Sequence, residues 1–173
     1  MRTLVAIAML FVLAPWIRSW VAGEELTTET WPDGRVRLEQ AYRLDASGRR
    51  VAHGRYAAWY QSGAPQAEGR YAHGHRDGLW RWWYEDGHKL GECEFENGVG
   101  VYRAWHPDGG IYLRGRYEDD QRVGVWLEFY PSGRKRLQGS YKDGRQEGIW
   151  TAWTDSEPQR AVQSEWHDGE QVR

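Results

Sequence analysis

From residue 54 onward, aromatic, polar and glycine positions follow one another in a pattern that repeats about every 24 residues. In the clearest copy, residues 78–98, an aromatic stretch ends at Asp86-Gly87, and a second stretch ends at Asn97-Gly98. Asp-Gly and Asn-Gly between aromatic and apolar stretches favour β-hairpins, because glycine readily adopts the positive φ of a tight turn. The pattern therefore predicts one β-hairpin in each copy.

The repeat predicts an all-β fold in which tandem β-hairpins form one elongated, twisted antiparallel meander sheet. Residues 54–154 hold five fuller copies whose start glycines are 24, 22, 24 and 24 residues apart. Residues 24–53 read as a degenerate half-repeat, and residues 155–173 as a C-terminal cap, since end units of a repeat array are atypical. The short step removes two residues, an even number that should leave the strand faces unchanged. The start glycines are Gly54, Gly78, Gly100, Gly124 and Gly148.

Each fuller copy has one aromatic two residues after its start glycine and another five residues after it. A spacing of three places the two sets on opposite faces of a strand unless a bulge intervenes. We expect one set to form the core and the other to line a broad face, and the spacing leaves open which is which. The first set is Tyr56, Trp80, Tyr102, Trp126 and Trp150, and the second set is Trp59, Trp83, Trp105, Phe129 and Trp153.

The second set is the candidate binding surface. Two strands per copy advance the sheet by about 10 Å, so this set would form a row on the order of 40 Å long. Such a row suits stacking on sugars or a cation, or docking of a partner strand or peptide, and core packing is the competing interpretation. Trp82 joins the candidates because the other copies carry alanine or glutamate there. The binding candidates are Trp59, Trp82, Trp83, Trp105, Phe129 and Trp153.

The first 23 residues have the pattern of a targeting segment. A short basic start is followed by an apolar run from Leu4 to Ile17, which is fourteen residues long. A membrane-spanning helix needs about 20 residues, whereas a signal-peptide core is shorter. Residues 1–23 are therefore expected to be a signal peptide cleaved after Gly23, with a retained N-terminal anchor and a buried core strand as the alternatives. The expected location is periplasmic or secreted, or membrane-anchored by this segment if it is not cleaved.

Composition changes the picture in two ways. The net charge of −2 gives no electrostatic reason to expect a nucleic-acid partner. Hydrophobic residues make up 40% of the chain, with 12 Trp and 10 Tyr, so the core must be built from few, large rings. Cys93 is the single cysteine, which excludes an intramolecular disulfide.

No group of residues forms a convincing catalytic, cofactor or metal site. His73 and His75 flank Gly74 and could bind a metal, but no third ligand is visible. Cys93 occupies a position that is glycine in three other copies, which favours a small packing residue over a nucleophile. Asp119 and Asp120 replace the usual turn glycine, and aspartate tolerates the left-handed conformation of a turn. We expect neither an enzyme nor a bound cofactor.

The repeated motif resembles a known family. Gly-x-Trp-x-x-Trp-Tyr-x-x-Gly, then Gly-x-Tyr-x-x-Gly and the next start glycine, looks like the MORN-repeat variant found in many bacterial proteins, often labelled antitoxins. The resemblance covers residues 54–154 well and 26–53 weakly. It implies a run of β-hairpins in one elongated sheet with a role in binding or scaffolding.

The expected function is a non-enzymatic protein-protein binding or scaffolding module, exported to the cell envelope. A first alternative is a carbohydrate or cell-wall binder, because tandem Trp-Tyr and glycine hairpins are also similar to choline-binding wall repeats. A second is the antitoxin of a toxin-antitoxin pair, which the export signal disfavours. The expected partner is accordingly another protein, with cell-wall glycan as the alternative and a membrane only through residues 1–23.

Overall fold

The computed structural model describes residues 16–21 and 23–172, which form one open antiparallel meander sheet of fourteen strands. Each strand pairs with its neighbours in chain order, so every connection is a hairpin. The predicted all-β fold of tandem hairpins in one meander sheet is confirmed. The strands are β1 Trp16–Val21, β2 Glu24–Thr30, β3 Val36–Leu44, β4 Arg50–Trp59, β5 Pro65–Ala72, β6 His75–Trp83, β7 Lys89–Glu96, β8 Val99–Trp105, β9 Ile111–Glu118, β10 Gln121–Phe129, β11 Lys135–Lys142, β12 Arg145–Trp153, β13 Ala161–His167 and β14 Glu170–Gln171.

Two kinds of turn alternate along the chain. At one end of the strands, a longer turn is closed by backbone hydrogen bonds, as where Gly87 N donates to the Tyr84 carbonyl at 3.0 Å. At the opposite end of the strands, two consecutive turn residues have positive φ, as at Asn97 (50°) and Gly98 (82°). The exceptional Asp119 and Asp120 adopt the same conformation, with φ of 47° and 62°. The expectation that aspartate would occupy the left-handed region there is confirmed.

A bulge marks the start glycine in four of the five fuller copies. Glu68 pairs with Arg81 and Arg70 with Asp77, so that residues 78–80 of β6 lie opposite the single residue 69 of β5. Gly78 provides the positive φ of 65° that this bulge requires. Between β7 and β8, where the connection is two residues shorter, the pairing is regular. Removing two residues therefore removes the bulge and keeps every side chain on its face.

The first aromatic set forms the core. Trp80, Trp126 and Trp150 are 3%, 2% and 4% exposed although the described chain is a single sheet. They are buried because aromatic rings from neighbouring strands pack against them. Tyr71, for example, meets the ring of Trp80 edge-on with centroids 4.9 Å apart. We call the side of the sheet that carries this set the packed face.

The second aromatic set lies on the opposite side, which we call the open face. Trp83 lies three residues after Trp80 in β6, and successive strand residues point to opposite faces, so the two rings lie on opposite sides of the sheet. The bulge near the hairpin turn lies at Leu90 in the second strand, so it does not disturb the alternation along β6. The five rings of the second set are all half-buried.

The copies at the two ends extend the sheet with altered hairpins. Residues 24–53 contain the β2–β3 hairpin and the first part of β4. At the other end, Trp166 pairs with Gly148 just as Tyr141 pairs with Gly124, although its loop is longer. The expected repeat boundaries at the start glycines fall inside strands, so the repeating unit of sequence is offset from the hairpin.

Most of the expected leader, residues 1–15 and 22, lies outside the described residues. Trp16–Val21 of that segment forms β1 and pairs along β2. Within the described part of the chain, no helix has the length and apolar character needed to span a membrane. Cleavage after Gly23 and export stay predictions.

Candidate binding faces

The rings of the open face are fixed by hydrogen bonds between neighbouring copies. The Tyr84 hydroxyl donates to the carbonyl oxygen of Trp105 at 3.1 Å. In the same way, the Tyr60 hydroxyl donates to the Trp83 carbonyl oxygen at 2.8 Å, and the Tyr130 hydroxyl donates to the Trp153 carbonyl oxygen at 2.7 Å. In the remaining copies, His106 bonds the Phe129 carbonyl at 2.8 Å and the Trp31 indole bonds the Trp59 carbonyl at 3.3 Å. Each ring-bearing backbone is thus held in place by the copy before it.

Cationic side chains lie over three of these rings. Lys89 Nζ is 5.4 Å from the centroid of Trp105, and Lys135 Nζ is 5.7 Å from that of Trp153. The Arg114 guanidinium carbon is 5.6 Å from the centroid of Phe129. A cation at this distance is attracted to the electron-rich ring face. The open face therefore presents rings whose faces are partly covered by positive charge.

An aliphatic row runs beside the aromatic row on the open face. Val101, Val125 and Ile149 each follow a start glycine and are 51%, 53% and 53% exposed. They share the open face because each directly precedes, in its strand, an aromatic residue of the packed face. Sequence reasoning missed this row, although the recurrence of an aliphatic residue after the last three start glycines was a signal for it.

Trp82 does not belong with the other five binding candidates. Its ring stacks on Trp80 with centroids 5.9 Å apart and meets Tyr102 edge-on at 5.4 Å. It is half-buried on the packed face, where it fills the space between two rings of the first aromatic set. The tryptophan that is particular to this copy, Trp82, thus contributes to packing on the packed face, whereas Trp83 lies on the open face.

The turn at Asp119 and Asp120 connects the β9–β10 hairpin to the start of β6. The Asp120 carboxylate accepts hydrogen bonds from Arg76 Nε at 2.7 Å and lies 3.2 Å from His75 Nδ1. The Arg76 guanidinium in turn lies over the rings of Phe95 and Tyr117, at 4.3 and 4.4 Å. Asp120 occupies the turn position that is glycine at Gly74, Gly98 and Gly144, and its side chain supplies the carboxylate that those turns lack.

The two histidines that flank Gly74 have different partners. His73 Nδ1 lies 2.6 Å from an Arg43 nitrogen, whereas His75 faces Asp120. Nearby, burial and then the charge of Arg43 lower the pKa of His53. In the described residues there is no cluster of three or more metal-ligating side chains.

Cys93 is a buried packing residue. It is 1% exposed, and burial raises the pKa of its thiol to about 12, which disfavours the nucleophilic thiolate. The other copies need glycine at this position because the next ring crosses directly over it, as Trp80 crosses Gly69. Without the bulge, Tyr102 lies over Gly91 instead, where an added Cβ would be 2.5 Å from its hydroxyl oxygen. That shift leaves room for the cysteine side chain.

A small cavity interrupts the packed face near its C-terminal end. It has a volume of about 130 Å³ and lies beside Trp126, Trp150 and Tyr141, with Arg122 and Glu128 among its lining residues. The Arg122 guanidinium carbon is 4.6 Å from the centroid of Trp126, and Arg122 donates to the Tyr141 hydroxyl at 3.0 Å. Sequence reasoning did not identify these residues as a group.

Together, the single sheet, the interlocked hairpins and the recurring rings define a class of extended β-hairpin repeat proteins with broad exposed faces. Within that class, residues 76–97 and 122–143 match the family model of the MORN repeat variant. Each matched segment covers one hairpin, β6–β7 or β10–β11, together with the residues just before its start glycine. The expected family resemblance is confirmed at these two copies. Comparison with curated proteins gave no match.

Proposed function

We propose that this chain is a non-enzymatic binding module whose open face docks another protein. The observation that supports this proposal most directly is the pair of apolar rows on that face. The second aromatic set runs alongside Val101, Val125 and Ile149, whose side chains are more than half exposed. The residues paired with them in the intervening strands include Glu94, Arg116 and Ser140, so the row combines exposed apolar side chains with polar ones, as protein interaction sites do.

The rigidity of the face favours binding. The hydrogen bonds from Tyr60, Tyr84 and Tyr130 hold the backbone of the next copy, so the rings are ordered before a partner arrives. A preorganised surface loses less conformational entropy on association. Half-buried aromatic rings at fixed positions are also the residues that dominate binding energy in protein interfaces.

The cations over the rings favour a protein partner over a cell-wall glycan. A sugar that stacks on an aromatic side chain needs its ring face, and Lys89 and Lys135 lie over the faces of Trp105 and Trp153. The partner we expect therefore has an apolar strip that can lie along both rows.

Export to the cell envelope is part of this proposal and rests on the sequence pattern of residues 1–23. The mass of the mature protein tests it, since a chain that begins at residue 24 supports cleavage and a chain that begins at Met1 contradicts it. The antitoxin role is a competing assignment, which requires a cytoplasmic chain and a toxin gene beside its own.

The docking proposal is tested by capture from an envelope fraction with the full chain as bait. Val101→Asp combined with Val125→Asp places two charges in the exposed aliphatic row, where neither side chain is part of the core. Val162→Asp is the matched control, because Val162 is 72% exposed and pairs with Ala152 of the packed face. We expect a single stoichiometric protein with wild type and the control, and none with the double variant.

Equal capture by the double variant would place the interface elsewhere and overturn the proposal. Peptidoglycan fragments provide the second arm of the experiment. If they change the tryptophan fluorescence of wild type but not of a Trp105→Ala variant, the open face is a glycan site. If they cause no change while the double variant loses its protein, the docking function stands.

A further inference from the structure

The packed face contains one break in its ladder of aromatic rings. Tyr56 contacts Trp80 at a centroid distance of 5.0 Å, and Tyr102 contacts Trp126 at 6.0 Å. Between Trp80 and Tyr102 the ring of Trp82 fills the gap. Among the described residues, Trp126 and Trp150 make no such direct ring contact, and the cavity of about 130 Å³ lies between them.

Comparison of copies explains the break. Trp82 and Glu128 occupy the same position, four residues after their start glycines. Glu128 does not fill the ring space, because its carboxylate is held by the Tyr112 hydroxyl at 3.2 Å and by Arg136 at 3.0 Å. The cavity is therefore what remains when the tryptophan of the earlier copy is replaced by a side chain bound to neighbouring polar groups.

Arg122 supplies an unneutralised positive charge beside this cavity. It occupies the position of Arg76, since both lie two residues before a start glycine. Arg76 binds the Asp120 carboxylate at 2.7 Å. In the described structure Arg122 has no carboxylate partner and contacts instead the Tyr141 hydroxyl and the rings of Trp126 and Tyr141. For Arg122 the turn residue that corresponds to Asp120 is Gly169, which has no carboxylate.

The local charge balance favours an anion. Arg122 and Arg136 carry two positive charges, and Glu128 carries one negative charge that is already paired with Arg136. The wall therefore carries the charge of Arg122 and a Glu128 carboxylate that is paired with Arg136 outside the lining, and its other side chains are aromatic or aliphatic. A guanidinium presents planar, paired donors that match the geometry of a carboxylate.

We propose that this cavity is a binding site for a small aromatic carboxylate. The ligand ring lies between Trp126 and Trp150, in the place that Trp82 takes in its own copy, and the ligand carboxylate accepts hydrogen bonds from Arg122. The cavity volume of about 130 Å³ is close to that of an apolar cavity of about 150 Å³ known to hold benzene, so it accommodates the ligand ring while the carboxylate lies at the wall beside Arg122. The site is on the packed face and is independent of protein docking at the open face.

The test uses sodium benzoate and the full chain, with binding followed by isothermal titration calorimetry and by saturation-transfer NMR. Arg122→Gln should weaken benzoate binding by about ten- to a hundredfold, because a hydrogen bond to a charged group is lost. Arg114→Gln is the matched control, since Arg114 lies over Phe129 on the open face and should leave the affinity unchanged. Benzyl alcohol, which has the ring without the charge, should bind more weakly than benzoate.

A second variant tests the cavity itself. Glu128→Trp introduces the tryptophan found at position 82 and should close the ring ladder, so that benzoate binding is abolished while the thermal melting temperature is kept or raised. Unchanged benzoate affinity in either Arg122→Gln or Glu128→Trp, with both variants folded by circular dichroism, would overturn the proposal. The peptide Gly-Gly-Phe with a free carboxyl terminus distinguishes the source of the ligand. Tighter binding of the peptide than of benzoate indicates the end of a polypeptide, and the reverse indicates a free small molecule.

Discussion

The indole of Trp80 crosses Gly69 so closely that a Cβ built on Gly69 would overlap the ring carbons of the indole. The same relationship joins Trp126 to Gly115 and Trp150 to Gly139. The indole of one strand thus packs directly against the backbone of a glycine in the preceding strand. Burial of the ring depends on the absence of a side chain at that glycine. This relationship, more than any turn, determines which aromatic set packs.

Replacement of Gly69 by alanine should therefore destabilise the protein. The buried indole must move to admit the methyl group, and overpacking of this kind costs about 1–3 kcal/mol. Urea unfolding followed by circular dichroism measures the change in the free energy of unfolding. Gly110→Ala is the control, because Gly110 has no positive φ and an added Cβ would approach only the Asp108 carboxylate, at 3.3 Å, and the Pro131 carbonyl. A loss in the control as large as that in Gly69→Ala would contradict the interpretation.

The hydroxyl of Tyr84 should contribute to the coupling between copies. Tyr84→Phe removes the hydrogen bond to the Trp105 carbonyl and should lower the free energy of unfolding by about 1 kcal/mol. Hydrogen exchange of the amides near Trp105 should rise in the same variant, since the next copy is held less firmly. Tyr56→Phe serves as the comparison. Burial raises the pKa of the Tyr56 hydroxyl, and no hydrogen bond is among the causes of that shift, so this substitution removes a hydroxyl of a different kind. Equal effects of the two substitutions would refute the role of the hydroxyl.

The Asp120–Arg76 ion pair should stabilise the short connection at Gly98. Asp120→Asn keeps a residue that tolerates positive φ but removes the negative charge, and we expect a loss of about 1–3 kcal/mol because both side chains are partly buried. Asp119→Asn provides the matched control at an exposed position with the same backbone conformation. Urea unfolding at low and high salt measures the free energy of unfolding of both variants. A loss in Asp119→Asn as large as that in Asp120→Asn would contradict a stabilising role for the ion pair.

His53 should make stability depend on pH. Burial and the nearby charge of Arg43 lower the pKa of His53, so the folded protein holds the ring neutral more strongly than the unfolded chain does. Its stabilising contribution is therefore complete above the unfolded pKa of about 6.5 and is lost as the pH falls through the folded pKa. His53→Gln should reduce the fall in unfolding free energy between about pH 7.5 and about pH 5.5. The exposed His88, changed to Gln, is the control, and an unaltered pH dependence in His53→Gln would disprove the assignment.

The candidate binding row could be predicted in part. The second aromatic set is periodic, and its separation from the first set by three residues places it on the other face of the sheet. Trp82 lies apart from the other five candidates, because its ring packs between Trp80 and Tyr102 on the packed face, and a binding role for it stays a prediction. The aliphatic row was missed because isolated valines and isoleucines are ordinary in strands and only the exposure of Val101, Val125 and Ile149 distinguishes them.

The sequence by itself determined the hairpins, their order and the family of the repeat. Turn conformation depends on residues next to one another, and glycine, asparagine and aspartate at fixed spacings are enough to specify positive φ. Only the tertiary structure decided which aromatic set is buried, because burial depends on rings contributed by neighbouring strands and on a glycine beneath the ring, as Gly69 lies beneath Trp80. The contact of Arg76 with Asp120 and the cavity beside Arg122 join residues from different copies. Both features depend on which residues neighbouring copies place at corresponding positions, and a single repeat does not contain that information.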